Sequence, residues 1–191
     1  MIYMNSLRKF IEMYTELSDS DWQIIQKAFE KRVFAKNEII LAEGSVCKYF
    51  YFLEEGLVRY YIYKDGVEIT KFFTTALYCF TSKISFTTQK PAKESIQALE
   101  KSTVWQTSLI EANELLGLKS WSTFTRKFLH EVQNQIEEML LEAMTETAEY
   151  RYKKLSEKYP SIISKIPLKH LSTFLGIAPQ SLSRIRKKLI N

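Results

Sequence analysis

The sequence predicts an α+β chain in three parts: an N-terminal double-stranded β-helix of jelly-roll type, a long helix, and a C-terminal helix-turn-helix. Three observations predict it. Residues 33–109 carry short β-branched and aromatic runs separated by turn signals, the pattern of a small sandwich or barrel. Residues 111–147 turn helical, with apolar residues spaced 3, 4, 3, 4. In the last 25 or so residues two short helical patterns meet at Gly176, and the second is polar and basic. The expected boundaries are 1–110 for a β-roll with an N-terminal helix, 111–147 for the long helix, and 148–191 for the helix-turn-helix.

Taken in order, residues 6–32 read as helical. Ser18 is placed as an N-cap before the acidic first-turn residues Asp19 and Asp21, and Trp22, Ile25 and Phe29 follow at helical spacing. Strand-like runs come next at 33–35, 39–41, 49–53, 57–63, 67–73, 96–99 and 103–109. Asp65-Gly66 between two of them is the strongest local signal, a two-residue hairpin turn. In the helix that follows, Leu129, Val132, Ile136, Met139 and Ala143 form a heptad seam, and Phe124 and Phe128 extend it upstream. Such a seam suits a dimer axis; it also suits a helix packed on its own core. Pro160 marks a break before the last segment.

In that segment, Leu171 and Leu175 sit four apart on one helix. Leu182, Ile185 and Leu189 make the inward stripe of the next, and Phe174 and Ile177 complete a small core. Gly176 occupies the turn, where left-handed backbone is cheap only for glycine, and Pro179 suits the first helical turn. With that stripe inward, Gln180, Ser183, Arg184 and Lys187 must point outward. An outward arginine can donate two bonds to guanine O6 and N7, and a glutamine can pair with adenine N6 and N7, so Arg184 and Gln180 are candidate readers of double-stranded DNA. Lys169, His170, Ser181, Arg186, Lys187 and Lys188 are candidates for phosphate contacts, which fix register rather than sequence.

Charge agrees with this division. The net charge of +5 conceals an asymmetry: residues 149–191 hold ten Lys/Arg against two acidic residues, a net +8, whereas residues 1–148 carry a net −3. A slightly acidic body with a basic tail implies that the tail meets a polyanion. No run of about 18 apolar residues predicts a membrane span. The opening MIYMNSLRKF lacks a signal-peptide core. Cys47 and Cys79 are too few for a disulfide framework and lack metal-ligand spacing, so reduced thiols in a cytoplasmic protein are expected, with no metal and no cofactor.

The chain resembles the Crp/Fnr family of bacterial transcription regulators along nearly its whole length. The resemblance runs from Phe52-LEEGLVRYYIY-Lys64 through Gly66-Val-Glu68, Ile96-Gln-Ala-Leu-Glu100 and the long helix to Leu175-GIAPQSLSRIRK-Lys188. It implies a homodimer whose recognition helices enter successive major grooves of a near-palindromic site, with RNA polymerase as a candidate partner. The family's three base-contacting positions fall on Gln180, Ser183 and Arg184. The implied dimer interface is Phe124, Phe128, Leu129, Val132, Ile136, Met139 and Ala143.

One departure concerns the effector pocket. Cyclic-nucleotide-binding members have a Gly-Glu pair for the ribose and, about ten residues later, an Arg followed by Ser/Thr for the cyclic phosphate. Here Thr81 and Ser82 stand at the first pair, and Ala92 and Lys93 at the second. Losing the Arg removes a charge-assisted contact. Lys93 or Lys83 could supply a substitute charge, but the departure implies a roll that survives as a scaffold or binds something else. An iron–sulfur sensor would need four cysteines, and His130 and His170 are poorly placed for haem. The expected function is therefore a sequence-specific transcription regulator, not an enzyme, that does not respond to cyclic AMP and whose effector is not named by the sequence. The alternative is a small-molecule-binding roll or a protein-interaction module with a vestigial DNA-binding domain. A cupin-type metal enzyme is excluded because residues 33–109 contain no histidine.

Overall fold

A computed structural model describes residues 4–190; residues 1–3 and 191, the outer ends of the first and last predicted parts, lie outside it. The N-terminal stretch is not one helix. It divides into α1 (Asn5–Glu12) and α2 (Asp19–Lys27). Ser18 caps α2 as expected, accepting from the Asp21 amide at 3.1 Å. The expected helix also overran its end: β1 (Glu30–Phe34) starts inside it, because Phe29 packs edge to face on Trp121 rather than continuing a helical stripe.

The roll comprises β1, β2 (Ile39–Leu41), β3 (Tyr49–Glu55), β4 (Leu57–Lys64), β5 (Val67–Thr75), β6 (Tyr78–Phe80), β7 (Ser95–Ala98) and β8 (Ser102–Ser108), with a short helix, α3 (Lys83–Thr88), between β6 and β7. The strands form two antiparallel sheets, ordered β1-β8-β3-β6 and β2-β7-β4-β5. Alternation along β3 sends Tyr51 and Leu53 into the space between the sheets and Phe52 outward. The hairpin joining β4 to β5 turns on Asp65 and Gly66, both at positive φ, as two-residue turns of this hand require. Gly56 makes the preceding turn at φ +114, where a Cβ would lie 2.2 Å from Ser102 Oγ.

The outer face of the first sheet is covered by helices. α1, α2, α4 (Leu109–Leu115) and the start of α5 (Lys119–Thr145) enclose Leu7, Phe10, Ile25, Phe52, Trp121, Phe124 and Phe128 in one cluster. The outer face of the second sheet is covered by the C-terminal helices α6 (Ala148–Lys158), α7 (Pro160–Ile163), α8 (Leu168–Leu175) and α9 (Pro179–Ile190). Leu57 and Leu99 of the roll share a cluster there with Tyr152, Ile166, Leu171, Leu175 and Leu182.

A bulge in β5 shapes this second contact. Tyr61 pairs with Thr70, but the next residue, Tyr60, pairs with Phe72, so Lys71 is extra. Thr70 and Phe73, three apart, thereby share the outward face with Leu57, Arg59 and Tyr61, and both touch α8. Among the described residues no helix is long and apolar enough to cross a membrane.

Candidate nucleic-acid interface

The site is built on α8, a tight turn and α9. α8 ends at Gly176, which takes the left-handed conformation at φ +70. Its N–H and that of Ile177 return to the last turn of α8, at Thr173 O (3.2 Å) and Ser172 O (3.0 Å). Arg151 of α6 adds a bond from Nη2 to Leu175 O at 2.7 Å, so the turn is fixed from a third helix. Pro179 opens α9, where its missing N–H costs nothing. Leu171, Leu175 and Leu182 are buried, and Phe174, Ile177 and Ile185 pack against them. Leu189, expected inward, is 41% exposed: it lies on the last turn of α9, beyond the reach of this small core.

The opposite face of α9 is open. Gln180, Arg184 and Lys187 are exposed and Ser183 is half-buried. Together with Leu168 and Pro179 they line one shallow concave surface. The first turn of α9 contains no acidic residue of its own to compete for its free N–H groups and positive dipole end. Of the expected phosphate contacts, Lys169 is exposed and Ser181 half-buried at the start of α9. Lys188 is exposed but paired with Glu149 of α6 at 2.7 Å.

Two of the expected phosphate contacts face inward. Arg186 lies over the Tyr152 ring, 5.8 Å from its centroid, and its Nε and Nη2 are buried without hydrogen-bond partners. His170 is 6% exposed and is turned onto Arg59 of β4. It therefore belongs to the contact between α8 and the roll. Helical spacing could not reveal this, because the residue that draws His170 inward is 111 positions away.

The seam on α5 divides in the same way. Phe124 and Phe128 are buried inside their own chain, stacked on each other at 5.7 Å and packed edge to face on Phe10 and Tyr14. They are core residues and not an interface. Val132 is half-buried at the edge of that cluster. Leu129, Ile136, Met139 and Ala143 are exposed, as are Leu140 and Met144 beside them.

The four residues expected at a reduced effector pocket do not converge. Thr81 donates to Tyr49 O at 2.9 Å and contacts Cys47 Sγ at 3.3 Å. Ala92 is buried, with its backbone bonded to Ser45 and Gly44, and Lys93 is exposed. Ser82 is buried and donates to Glu94 Oε1 at 2.8 Å, and Glu94 is ion-paired with Lys71. Glu94 escaped the sequence reading because its partner Lys71 reaches it from the β5 bulge. Both cysteines are buried and unpaired, and burial pushes the Cys79 thiol well above its ordinary pKa. Among the described residues no group of three or more His, Cys, Asp or Glu is placed to hold a metal.

A β-roll, a long helix with an exposed apolar seam, and a terminal helix pair with an open polar face define a two-part architecture of roll and helix pair. Residues 31–117 match the family described as the cyclic nucleotide-binding domain. No curated protein matches the chain by sequence. Among solved structures, a transcriptional regulator assigned to the Crp/Fnr family from Eubacterium rectale superposes with a TM-score of 0.71 at 16% identity, over 94% of this chain and 87% of that one. FixK2 from Bradyrhizobium japonicum gives 0.70 at 17% identity, over 84% of each chain. A CooA variant from Carboxydothermus hydrogenoformans gives 0.69 at 15% identity, over 93% of this chain and 81% of that one. In fold the chain is similar to these three structures along most of its length.

Proposed function

We infer that the chain is a sequence-specific, double-stranded-DNA-binding transcription regulator of Crp/Fnr type. It acts as a homodimer through α5, reads DNA with α9 as the second helix of a helix-turn-helix, and does not respond to cyclic AMP. The observation that carries this reading is the row of exposed Gln180, Arg184 and Lys187 with half-buried Ser183 on the face of α9 opposite its buried stripe. Arg184 has the donors for guanine and Gln180 the donor–acceptor pair for adenine, while Lys169 and Lys187 stand free for phosphates. The exposed Leu129, Ile136 and Met139 give a second copy an apolar stripe to cover. The proposed lack of a cyclic AMP response is supported by Ala92, which has no charge to offer, and by Glu94, which accepts from Ser82 and engages Lys71 in an ion pair.

The test is a selection of duplexes from a random-sequence library, followed by titration in a salt series. Four to six phosphate contacts per dimer weaken binding roughly 10²–10³-fold between 50 and 200 mM salt. Arg184→Ala is expected to lose roughly 1–3 kcal/mol of discrimination at one position in each half-site. An unchanged affinity and base preference in Arg184→Ala removes Arg184 from the reader.

A further inference from the structure

The roll and the C-terminal helices are joined by a polar bridge whose centre, Arg59 and His170, is buried in the contact between them. Arg59, on the outward face of β4, is 2% exposed, and each of its three guanidinium nitrogens has a partner. Nε donates to Gln97 Oε1 at 2.8 Å, Nη2 to Glu68 Oε2 at 2.5 Å, and Nη1 to His170 Nδ1 at 2.8 Å. The guanidinium carbon lies 4.1 Å from the centre of the Tyr61 ring. A guanidinium only donates, so His170 accepts at Nδ1 and carries its own proton on Nε2. The bridge therefore exists only while His170 is neutral. Around it, Thr173 Oγ1 accepts from the Thr70 amide at 3.2 Å and lies 3.2 Å from Thr70 Oγ1. Phe73 and Phe174 meet edge to face at 5.4 Å.

We propose that this bridge is a latch, in which Arg59 acts through His170 and α8 as a positioning residue that holds α9 in the pose used to engage DNA. The inference rests on the DNA-reading function above and adds to it a mechanical link from roll to reading head. The latch leaves the reading face untouched, since Gln180, Arg184 and Lys187 stay exposed while α8 is docked. Two heads on one dimer read together only if their spacing and angle are held. A head that swings free must be ordered on binding, and affinity falls. Base preference, set by α9 alone, does not change.

Charge gives the latch a direction in pH. His170 faces Arg59 from β4, Glu68 from β5 and Lys169 from its own helix. Burial first, then Arg59 and Lys169, pull its pKa down to about 4 from an ordinary 6.5, with Glu68 opposing. The docked state thus binds a proton less readily than the undocked one. Docking is at full strength above pH 6.5 and is lost progressively as pH falls through 6.5 toward 4. The docking equilibrium at pH 5.5 is about tenfold weaker than at pH 7.5.

Full-length wild type, His170→Leu and His170→Asn are compared at pH 7.5 and 5.5. The readouts are hydrogen–deuterium exchange of the α8 amides and affinity for a duplex selected by the wild type. Both variants leave Arg59 bonded to Gln97 and Glu68, so the roll keeps its fold. His170→Leu is expected to exchange faster in α8 and to bind about tenfold more weakly with the same base preference. His170→Asn keeps an acceptor near the Nδ1 position, matches wild type at pH 7.5 and loses nothing at pH 5.5. A cross-link through Thr70→Cys and Thr173→Cys is expected to retain binding and to restore it to His170→Leu. Unchanged α8 exchange in His170→Leu at both pH values overturns the latch. So does a cross-linked form that loses binding its reduced form retains, since the docked pose is then not the reading pose. If the wild type selects no duplex, the DNA-reading function fails and the positioning role with it. That result is distinct from normal binding with unchanged α8 exchange, which sinks the latch alone.

Discussion

Single residues here are constrained by unequal means, and the glycines make this measurable. Gly56 and Gly66 both sit at positive φ, but a Cβ on Gly66 meets nothing within 4 Å, whereas one on Gly56 would collide with Ser102 at its Oγ, Cα and Cβ. Gly66→Ala is therefore expected to cost only the conformational strain, about 1 kcal/mol. Gly56→Ala adds a collision with the backbone of β8 and is expected to cost about 3 kcal/mol or more. Urea unfolding of both variants checks this, and equal midpoints would mean that the close approach at Ser102 carries no weight. The turn at Gly66 was legible from two adjacent residues. The contact at Gly56 was not, because Ser102 is 46 positions away and no local pattern connects them.

At the scale of the element, α5 carries two apolar stripes that the sequence merges into one. Trp121, Phe124 and Phe128 face the chain's own core, and Leu129, Ile136, Met139 and Ala143 face outward, with Val132 at the crossing. Adjacent residues on a helix point about 100° apart, so Phe128 and Leu129 take opposite fates while both fit a 3–4 repeat. Periodicity thus gave the helix and the lower part of its outward seam, and it misplaced the upper two aromatic residues. The same limit explains β6 and α3, which are three and six residues long and too short to establish a period. Two variants separate the stripes. Phe124→Ala is expected to lose about 3–5 kcal/mol of stability through its cavity while leaving association unchanged. Ile136→Glu places a charge in the proposed seam and is expected to yield monomers in sedimentation velocity, with little change in unfolding of the single chain. A dimeric Ile136→Glu would remove α5 from the interface.

The whole molecule sandwiches a filled roll between two helical layers, and the filling bears on what the roll can sense. Tyr51 stacks on Phe80 at 4.8 Å, Tyr60 meets Phe72 at 4.4 Å, and Cys47 and Ala92 join the same cluster between the sheets. At its edge, Ser82, Glu94 and Lys71 satisfy one another. A cyclic phosphate brought to this edge would have to compete with the Glu94 carboxylate for Lys71 and Ser82, and Ala92 offers it no guanidinium. Only the Ala92 half of this was legible in the sequence, as a missing charge; the Glu94 half needs the β5 bulge that delivers Lys71. The charge balance therefore predicts that cyclic AMP or cyclic GMP at 1 mM leaves the thermal midpoint of the full chain where it was. A site with a Kd of 10 μM would stabilise by about 2.7 kcal/mol at that concentration, which for a chain of this size is a rise of roughly 5–11 °C. Such a rise would mean that the cluster opens and that Glu94 gives way to the phosphate. No rise means that neither nucleotide opens the cluster and that Glu94 keeps its contacts with Ser82 and Lys71.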